Sequence, residues 1–507
     1  MNIDKKNDLF DVIVVGLGPV GATLSNLLGK CGVRVLVLDR EASAYHLPRA
    51  VHFDDEVMRV FQTINVGDAI AKTLRINPGM KFVDEKGSLL LDWPRPQEIS
   101  SQGWNASYRF HQPDIEVILR SALEQYPHVT VRTCCEVLTI EDHNGVANLT
   151  YKDLQTSEVH QVSAKYVVGC DGGRSLVRGI MGVGMEDFGF NERWLVVDVL
   201  LKKEKPELGD YTIQYCNPGR PATYARGPGI RRRWEITIKN NEASEEVIKD
   251  EAVWKFLKPW INQSDANLER AAVYTFNSAV VKEWRKGRLL VAGDAAHLTP
   301  PFMGQGMCAG IRDVSNLAWK LALCVQGNAS ETLLDSYGIE RYPHAKEYIL
   351  TAVRLGRLIN TCGTEEALKT ALQPSNSSAR MTSISPSLGK VLAAGDALPA
   401  GRLFPQPKMS NDSLSDDLNG YRFVLFIDQS IISLSDSQRN LLTHRSIQIV
   451  DTSQSNDLKG YLSDFDAKAI LVRPDRYILG RANSLTQLQL LVEQSISSPP
   501  QWIKETP

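Results

Sequence analysis

Six residues near the start of the chain, GLGPVG at positions 16–21, constrain its fold more than any other feature. They follow the apolar run DVIVV and precede ATLSNLLGKCG, which has the pattern of a helix. A buried strand, a glycine turn and a helix in this order are typical of the first unit of a dinucleotide-binding fold. The sequence therefore predicts a Rossmann-like parallel sheet that holds a dinucleotide.

The glycines of this turn have separate expected roles. Gly16 permits the tight turn, Gly18 lets the backbone approach a pyrophosphate, and Gly21 allows close packing of the helix on the strand. The next strand, VRVLVLDR, reaches Asp39, 21 residues after Gly18. At this spacing we expect the Asp39 carboxylate to accept a hydrogen bond from a ribose hydroxyl.

The composition is that of an ordinary globular protein. The chain has 507 residues, of which 43% are hydrophobic and 23% charged, enough for roughly three domains. The formal net charge of -2 gives no basic footprint for a nucleic acid. No apolar run reaches the length of a membrane span, and the opening MNIDKKNDLF lacks the apolar core of a signal peptide. We therefore expect a soluble cytoplasmic protein.

Changes in texture divide the chain into four predicted regions. KFVDEKGSLLLDWPRP alternates like a hairpin, and WLVVDVLL, YTIQYC and RRWEITI are also strand-like. We predict a discontinuous nucleotide-binding domain at 1–78, 105–184 and 285–370, with a mostly-β sheet domain at 79–104 and 185–284 inserted into it. A linker rich in Ser, Pro and Asn at 371–418 and a small α/β domain at 419–507 follow.

Two further motifs accompany the glycine turn. YVVGCDGGRSLVR, at positions 166–178, is a strand that runs into an Asp-Gly turn. RLLVAGDAAHLTPPFMGQGMCAGIRDVSNLAWKL, at 288–321, is a buried strand that delivers a Gly-Asp pair, then a Pro-Pro turn and a helix. The three motifs together resemble those of the single-component FAD-dependent aromatic hydroxylases of the p-hydroxybenzoate hydroxylase type.

Within that family the resemblance is to the 3-(3-hydroxyphenyl)propionate hydroxylase branch, through PRAVHFDDE, FHQPDIE and ILVRPDRYILG. It implies an α/β fold with a Rossmann-like FAD-binding domain, an inserted substrate domain and a C-terminal thioredoxin-like domain. Asp294 is expected to accept a hydrogen bond from a ribityl hydroxyl, and the helix after Gly304 to point its positive end at the flavin. The FAD-binding residues implied are Gly16, Gly18, Pro19, Val20, Gly21, Asp39, Arg40, Arg49, Gln112, Val137, Asp171, Gly172, Gly293, Asp294, Pro301, Gly304, Gly306 and Met307.

The resemblance implies an enzyme that uses NAD(P)H and O2 to hydroxylate a phenolic compound, such as a hydroxyphenylpropionate-like acid, through a flavin C4a-hydroperoxide. No side-chain nucleophile is expected. His297 is a weak candidate for a catalytic base beside the plainer interpretation of a structural histidine. Hydroxylation of a larger quinolone or polyketide and a non-hydroxylating flavin oxidoreductase stay open as alternatives. Trp194 and Trp234 are candidates for the substrate pocket or, more commonly at alternating strand positions, for the core.

The cysteines and the expected binding of NADH or NADPH limit which family properties the resemblance implies for this chain. The eight cysteines have no metal-ligand or CxxC spacing, so we expect reduced thiols and no bound metal. The last is Cys362, so a thioredoxin-like C-terminal domain has no redox role, and packing or subunit contact, for example in a homodimer, is expected instead. No second GxGxxG is present, so NADH or NADPH must bind in a groove.

Overall fold

The computed structural model describes residues 9–44, 47, 49–143, 145–361, 383–390, 399–409, 413–453 and 455–495. Much of the predicted linker and the end of the predicted C-terminal domain lie outside these residues. The strands, numbered in chain order, are β1 Leu9–Val15, β2 Val35–Leu38, β3 His52–Asp54, β4 Arg75–Ile76, β5 Gly79–Val83, β6 Leu89–Pro94, β7 Ser107–Arg109, β8 Val129–Arg132, β9 Cys135–His143, β10 Val146–Asp153, β11 Val159–Gly169, β12 Met185–Leu201, β13 Thr212–Tyr215, β14 Ala222–Arg226, β15 Arg231–Thr237, β16 Ala266–Val281, β17 Arg285–Lys286, β18 Leu289–Val291, β19 His297–Leu298, β20 Phe423–Ile427, β21 Ile447–Asp451, β22 Ala469–Val472 and β23 Ile478–Ala482.

The helices differ in length. Of the two longest, α8 belongs largely to the third motif and α9 follows it. They are α1 Pro19–Lys30, α2 Asp55–Thr63, α3 Gly67–Ala71, α4 Gln112–Ser121, α5 Leu176–Met181, α6 Ser244–Val247, α7 Asp250–Leu257, α8 Gly306–Val325, α9 Thr332–Thr361, α10 Ser415–Asn419, α11 Asp436–His444, α12 Asn456–Asp464 and α13 Leu485–Ser495. None of the helices in the described part of the chain is both long and apolar enough to cross a membrane.

The first sheet is the predicted Rossmann-like layer. Its main path runs β17-β18-β11-β1-β2-β8, and β9 and β10 join beside β11. β1 pairs in parallel with both β2 and β11, and β11 pairs in parallel with β18. Because both faces of β1 are covered, most of the strand is buried, as its unbroken apolar run requires. This arrangement brings the carboxyl ends of β1, β11 and β18, and so the three motifs, to one edge of the sheet.

The second sheet has the order β19-β16-β12-β15-β14-β13-β5-β6. Its strands come from three separated stretches of chain: β5 and β6 lie before β7, β12 to β16 follow the second motif, and β19 belongs to the third motif. One face carries its own apolar core, which includes Trp234, Tyr224 and Leu195. The opposite face turns toward the third motif.

A third, four-stranded sheet near the end of the chain has the order β21-β20-β22-β23. β20 is parallel to β21, and β22 is antiparallel to both of its neighbours. Phe404, Phe426 and Ile470 belong to a separate core on this sheet. The overall α/β fold class predicted from the sequence is confirmed.

Candidate active site

The glycine turn after β1 is closed on its inner side and open on its outer side. Gly16 has φ +98°, and a Cβ on it would lie 2.5 Å from the carbonyl oxygen of Cys170. A Cβ on Gly21 would lie 1.9 Å from the carbonyl oxygen of Gly16. Gly18 caps α1, with Pro19 at its first position, and nothing would lie within 4 Å of a Cβ there. The backbone thus forms a cradle for a diphosphate at a helix N-terminus.

Asp39 holds this turn in place. Its carboxylate accepts hydrogen bonds from the backbone N–H of Leu17 at 2.7 Å and of Glu41 at 2.8 Å. The neighbouring Arg40 side chain is exposed and pairs with Glu41. Val137 is buried in β9, whose first residue donates its N–H to the Asp39 carbonyl at 2.8 Å. Each oxygen of the carboxylate keeps a second lone pair for a ribose hydroxyl.

Gln112 fixes the loop that carries Arg49. Its Oε1 accepts from the backbone N–H of Arg49 at 3.1 Å and of Ala50 at 2.7 Å, and its Nε2 donates to Glu116 at 2.6 Å. The side chain of Gln112 is therefore engaged with protein on both ends. Arg49 is exposed, and its positive charge opposes the rise that burial causes in the pKa of Asp294. The structure thus brings Arg49 near the third motif, with Gln112 behind it.

The Asp-Gly turn of the second motif caps a helix. The Asp171 carboxylate accepts from Ser175 Oγ at 2.5 Å and from two backbone N–H groups of α5 at 2.7 and 3.2 Å. Gly172 follows with φ +80°. Arg178 of α5 donates to the carbonyl of Ala295 at 3.0 Å and so joins the second motif to the third.

Val20 joins the first motif to the third. A Cβ on Gly293 would lie 3.0 Å from Val20 Cγ2, and one on Gly310 would lie 2.6 Å from the same atom. The first turn of α1 therefore packs directly against the Gly-Asp turn and against α8.

The Gly-Asp turn is built around Asp313 of α8. Its carboxylate accepts from the backbone N–H of Gly293 at 3.0 Å, from His297 Nε2 at 2.7 Å and from Arg341 Nε at 2.9 Å. The side chains of His297, Asp313 and Arg341 are completely buried. His297 thus supports the turn from inside the core.

Asp294 is the outward-facing member of the same turn. Its side chain is exposed to solvent although protein lies around it on most sides, as in a cleft. These surroundings raise the pKa of its carboxyl, through burial first, while His297 and Arg49 oppose the shift. Among the described residues, none donates a hydrogen bond to this carboxylate. It is an available acceptor.

The turn at 301–306 separates Asp294 from α8. A short 3-10 turn begins at Pro301, and Gly304 follows with φ +64°. A Cβ on Gly304 would lie 2.9 Å from His52, whereas one on Gly306 would meet nothing nearer than 3.9 Å. α8 starts at Gly306, and Met307 in its first turn is half-buried. The free N–H groups at this helix end favour a negative charge in front of the turn.

His52 ties the 301–306 turn to a small three-stranded sheet, β3-β7-β4. Its Nδ1 donates to the carbonyl of Gly304 at 3.2 Å, and its Nε2 accepts from Ser107 Oγ at 2.8 Å. Asn77 donates to the same hydroxyl at 2.9 Å. Burial, followed by the two nearby guanidinium groups, lowers the pKa of His52 to about 3. The ring is therefore neutral, with both nitrogens engaged.

A pocket lies between the 301–306 turn and the open face of the second sheet. Its apolar walls include Met80, Trp93, Phe302 and Met303. Its polar walls include His52, Asn77, Arg95, Arg109, Thr212, Gln214, Thr223 and Glu235. The turn and the sheet thus enclose a space whose walls are partly apolar and partly charged.

Two guanidinium groups give the pocket positive charge. Arg95 stacks 4.1 Å over the ring of Trp93, and its Nη1 is buried without a hydrogen-bond partner among the described residues. Arg109 is buried and donates to the hydroxyl of Thr212. Burial lowers the pKa of each arginine to about 10, so both remain cations at neutral pH.

Glu235 is the only carboxylate among the described residues that line this pocket. Burial raises its pKa, and Arg233, whose Nη1 lies 3.8 Å from it, opposes the shift. Sequence reasoning missed Glu235, Arg95 and Arg109, because nothing in the linear pattern places positions 95, 109 and 235 in one cavity. The two tryptophans suggested for the pocket, Trp194 and Trp234, are fully buried.

No cluster of three side chains able to hold a metal ion occurs within the described residues. The open backbone at Gly18 and the unengaged carboxylate of Asp294 instead fit an organic dinucleotide. The two features lie on one edge of the first sheet and are linked by the Val20 and Arg178 contacts.

Comparison with known proteins identifies the dinucleotide. The family model described as "FAD binding domain" matches residues 10–352. The chain is 33% identical over 510 residues to a "Probable NADH-specific resorcinol 4-hydroxylase" from Rhodococcus jostii (strain RHA1), covering 96% of this chain and 95% of the relative. It is 39% identical over 356 residues to a "3-(3-hydroxy-phenyl)propionate/3-hydroxycinnamic acid hydroxylase" from Mycolicibacterium smegmatis (strain ATCC 700084 / mc(2)155), over 69% of this chain and 61% of that relative.

The fold is shared with solved structures. The flavin-dependent monooxygenase PieE, determined in complex with FAD and substrate, superimposes with a TM-score of 0.82 over 99% of this chain and 100% of that chain, at 18% identity. The predictions of an FAD cofactor and of an aromatic hydroxylase are confirmed at the level of the family. The chain belongs to the FAD binding domain family and is an FAD-dependent monooxygenase of the aromatic-hydroxylase type.

Proposed function

We propose that this enzyme uses NADH and O2 to hydroxylate a small phenol that binds between the second sheet and the 301–306 turn. The observation that carries the proposal is the pocket itself, which has the turn on one side and the charged sheet face on the other. The cofactor, when bound, accepts a hydride from the nicotinamide and activates dioxygen. The chain's own task is to orient the phenol and to exclude water, for which Trp93, Phe302 and Met303 provide apolar walls.

The residues proposed to hold FAD follow from the three motifs. Backbone N–H groups around Gly18 bind the diphosphate, and Asp39 binds the adenosine ribose. Asp294 accepts a hydrogen bond from the ribityl chain, with Arg49 beside it. The backbone of the 301–306 turn would hold the isoalloxazine ring, since a Cβ on Gly306 would meet nothing nearer than 3.9 Å. His297, Gln112, Val20 and Asp171 support these groups, since each is engaged with protein.

The charge of the pocket favours a phenol that carries a carboxylate. The buried Nη1 of Arg95 has no hydrogen-bond partner among the residues that the structure describes, and leaving such a donor unpaired is costly. An anionic ring substituent between Arg95 and Arg109 would pair with it. Glu235, on the same face, is placed to accept the hydrogen bond of the ring hydroxyl and to draw its proton. An acid of the hydroxyphenylpropionate kind satisfies both requirements.

A neutral diphenol is the second candidate. One relative that aligns along nearly the whole chain is named for resorcinol, which has no carboxylate. Its two hydroxyls would use Glu235 and the polar side chains of Thr212 and Gln214, and Arg95 would then bind water. The same relative's name supports NADH rather than NADPH as the reductant.

The setting of the enzyme is also a proposal. The seven described cysteines are all free, which suits the reducing cytoplasm. A homodimer is the proposed assembly, and light scattering of the purified protein tests it.

Steady-state oxidation of NADH under labelled dioxygen tests the function. The enzyme is assayed with 3-(3-hydroxyphenyl)propionate, with resorcinol and with 3-phenylpropionate, which has the acid but no hydroxyl. We expect the first phenol to accelerate NADH oxidation and to gain one labelled oxygen atom. 3-Phenylpropionate is the control that shows whether an acid without a ring hydroxyl accelerates NADH oxidation without being hydroxylated. Label found only in hydrogen peroxide and water with every phenol would refute the hydroxylase assignment.

A further inference from the structure

The turn between β22 and β23 carries three charged residues that are buried in the body of the protein. Arg473, Asp475 and Arg476 are exposed by 0%, 5% and 5%. A tight turn on a small sheet is normally solvated, so this burial shows that the turn is inserted into another part of the molecule. The turn, residues 473–477, is called the C-terminal plug below.

The C-terminal plug is anchored on the two long helices. Arg473 donates to both carboxylate oxygens of Glu340 of α9, at 2.8 and 2.9 Å. Asp475 accepts from Asn316 of α8 at 3.1 Å, and Asn316 also donates to Glu340 at 2.8 Å. These contacts fix the plug against the helix that begins at the 301–306 turn.

The last residue of the plug, Tyr477, makes a contact of a different kind. Its hydroxyl donates to Glu56 Oε1 at 2.6 Å. The second oxygen of Glu56 accepts from Arg312 Nε. Arg312 then donates through Nη2 to Asp54 at 2.5 Å. A chain of hydrogen bonds therefore runs from Tyr477 into the FAD-binding layer.

This chain ends within the 301–306 turn. Gln305 donates to Asp54 at 3.1 Å and accepts from Arg312 Nη1 at 3.0 Å. Gln305 lies between Gly304 and Gly306 and is the N-cap of α8. The orientation of its side chain is thus set by Arg312 and Asp54 together.

We propose that Tyr477 is a positioning residue for the 301–306 turn and, through it, for the flavin ring. The physical reason is the sharing of Arg312 between two carboxylates. The Tyr477 hydroxyl binds Oε1 of Glu56, and the guanidinium of Arg312 binds Oε2. Without the hydroxyl, both oxygens of Glu56 compete for the guanidinium and draw it away from Asp54 and Gln305. In the intact protein, the C-terminal sheet therefore influences the flavin through Tyr477, although this part of the sequence contains no cysteine.

The inference goes beyond the proposed substrate and rests on the proposed position of the flavin ring at the 301–306 turn. It is tested with Tyr477→Phe in the full-length holoenzyme. We expect the FAD dissociation constant to rise about tenfold, as for the loss of one hydrogen bond to a charged group. We also expect a shifted visible flavin spectrum, a changed midpoint potential and more hydrogen peroxide per NADH consumed.

Tyr421→Phe is the matched control. The Tyr421 hydroxyl also reaches from the C-terminal sheet to α8, where it donates to the carbonyl of Ser315 at 2.9 Å. This contact does not lead to the 301–306 turn. The two variants should lose similar thermal stability, and only Tyr477→Phe should alter the spectrum and potential of the flavin.

A second variant keeps the inference falsifiable if Tyr477→Phe does not yield holoenzyme. Glu56→Gln preserves the shape of the side chain but removes the charge that holds Arg312. It should give the same spectral and potential shift. If the first variant that yields holoenzyme has the flavin spectrum, potential and FAD affinity of the wild type, Tyr477 is only a packing residue and the inference is wrong.

Discussion

The glycine turn and the C-terminal plug bind their partners by opposite means. The glycine turn is six residues long and is shaped by missing side chains, so that backbone contacts backbone at Gly16 and Gly21. The plug is held by buried charges that meet Glu340 and Glu56, two partners far apart in the chain. Gly16 and Gly21 leave no room for an added side-chain atom, whereas the plug depends on charges and a hydroxyl whose removal leaves buried groups unpaired. The difference predicts which substitution harms which site.

Glu340→Ala should cause the largest loss of stability. It would leave Arg473 and Lys320, both completely buried, without their shared carboxylate. Removing one partner of a buried ion pair costs about 3–5 kcal/mol. Glu347→Ala is the control, because Glu347 lies on the same helix in an exposed pair with Arg354 and should cost less than about 1 kcal/mol. Urea unfolding measures both, and equal losses would mean that the plug is not held by charge.

Gly21→Ala tests the opposite kind of site. Its Cβ would lie 1.9 Å from a backbone carbonyl, so strand and helix must separate and the diphosphate cradle must open. Overpacking of this kind costs about 3 kcal/mol, or about a hundredfold in FAD affinity. Gly179→Ala, in α5 with nothing within 4 Å of the new atom, should leave FAD binding unchanged. Titration of the apoproteins with FAD distinguishes them, and tight binding by Gly21→Ala would contradict the steric account.

Asp294→Ala tests whether the carboxylate of Asp294 contributes to FAD binding. The loss of a charge-assisted hydrogen bond to the ribityl chain should weaken FAD binding by about 1.5–3 kcal/mol. Asp294→Asn keeps an acceptor oxygen and should recover part of the affinity. Unchanged FAD affinity and turnover in Asp294→Ala would reduce the Gly-Asp pair to a structural turn.

The smallest effect is expected in the substrate pocket. Arg95→Met should raise the KM for 3-(3-hydroxyphenyl)propionate about tenfold and leave the KM for resorcinol unchanged, because only the acid needs the cation. Lys81→Met is the control, since Lys81 is another cation over an aromatic ring, 4.3 Å above Tyr211, outside the pocket lining. Equal KM changes for the two phenols would contradict the proposal that Arg95 binds the carboxylate of the substrate.

The comparison also explains what the sequence could predict. The glycine turn, the Asp-Gly turn and the Gly-Asp turn are local patterns, so the fold class and the cofactor followed from short stretches of residues. The individual roles of the residues around the proposed cofactor site were harder to predict. Gln112 and Asp171 are predicted to bind FAD, and His297 is a weak candidate for a base. Their side chains hydrogen-bond to the protein, and their roles toward FAD stay predictions, because spacing does not separate a residue that contacts the cofactor from one that supports such a residue.

The pocket and the plug could not be predicted for a further reason. Arg95, Arg109 and Glu235 line one cavity, although Arg95 follows β6, Arg109 lies in β7 and Glu235 lies in β15. Tyr477 and Glu56 are separated by 421 positions. The motif ILVRPDRYILG carries part of the family resemblance. Its charged residues, however, are typical of a solvated turn, and the sequence alone does not show the helices that bury them.

A single-turnover experiment tests the central claim most directly, which is that this chain alone positions a reduced flavin and a phenol for hydroxylation. The holoenzyme is reduced without NADH, mixed with 3-(3-hydroxyphenyl)propionate or resorcinol, and exposed to labelled dioxygen. The account predicts nearly one hydroxylated product per flavin, with one labelled oxygen atom, for at least one of the two phenols. Reoxidation that yields only labelled hydrogen peroxide with both phenols would contradict it.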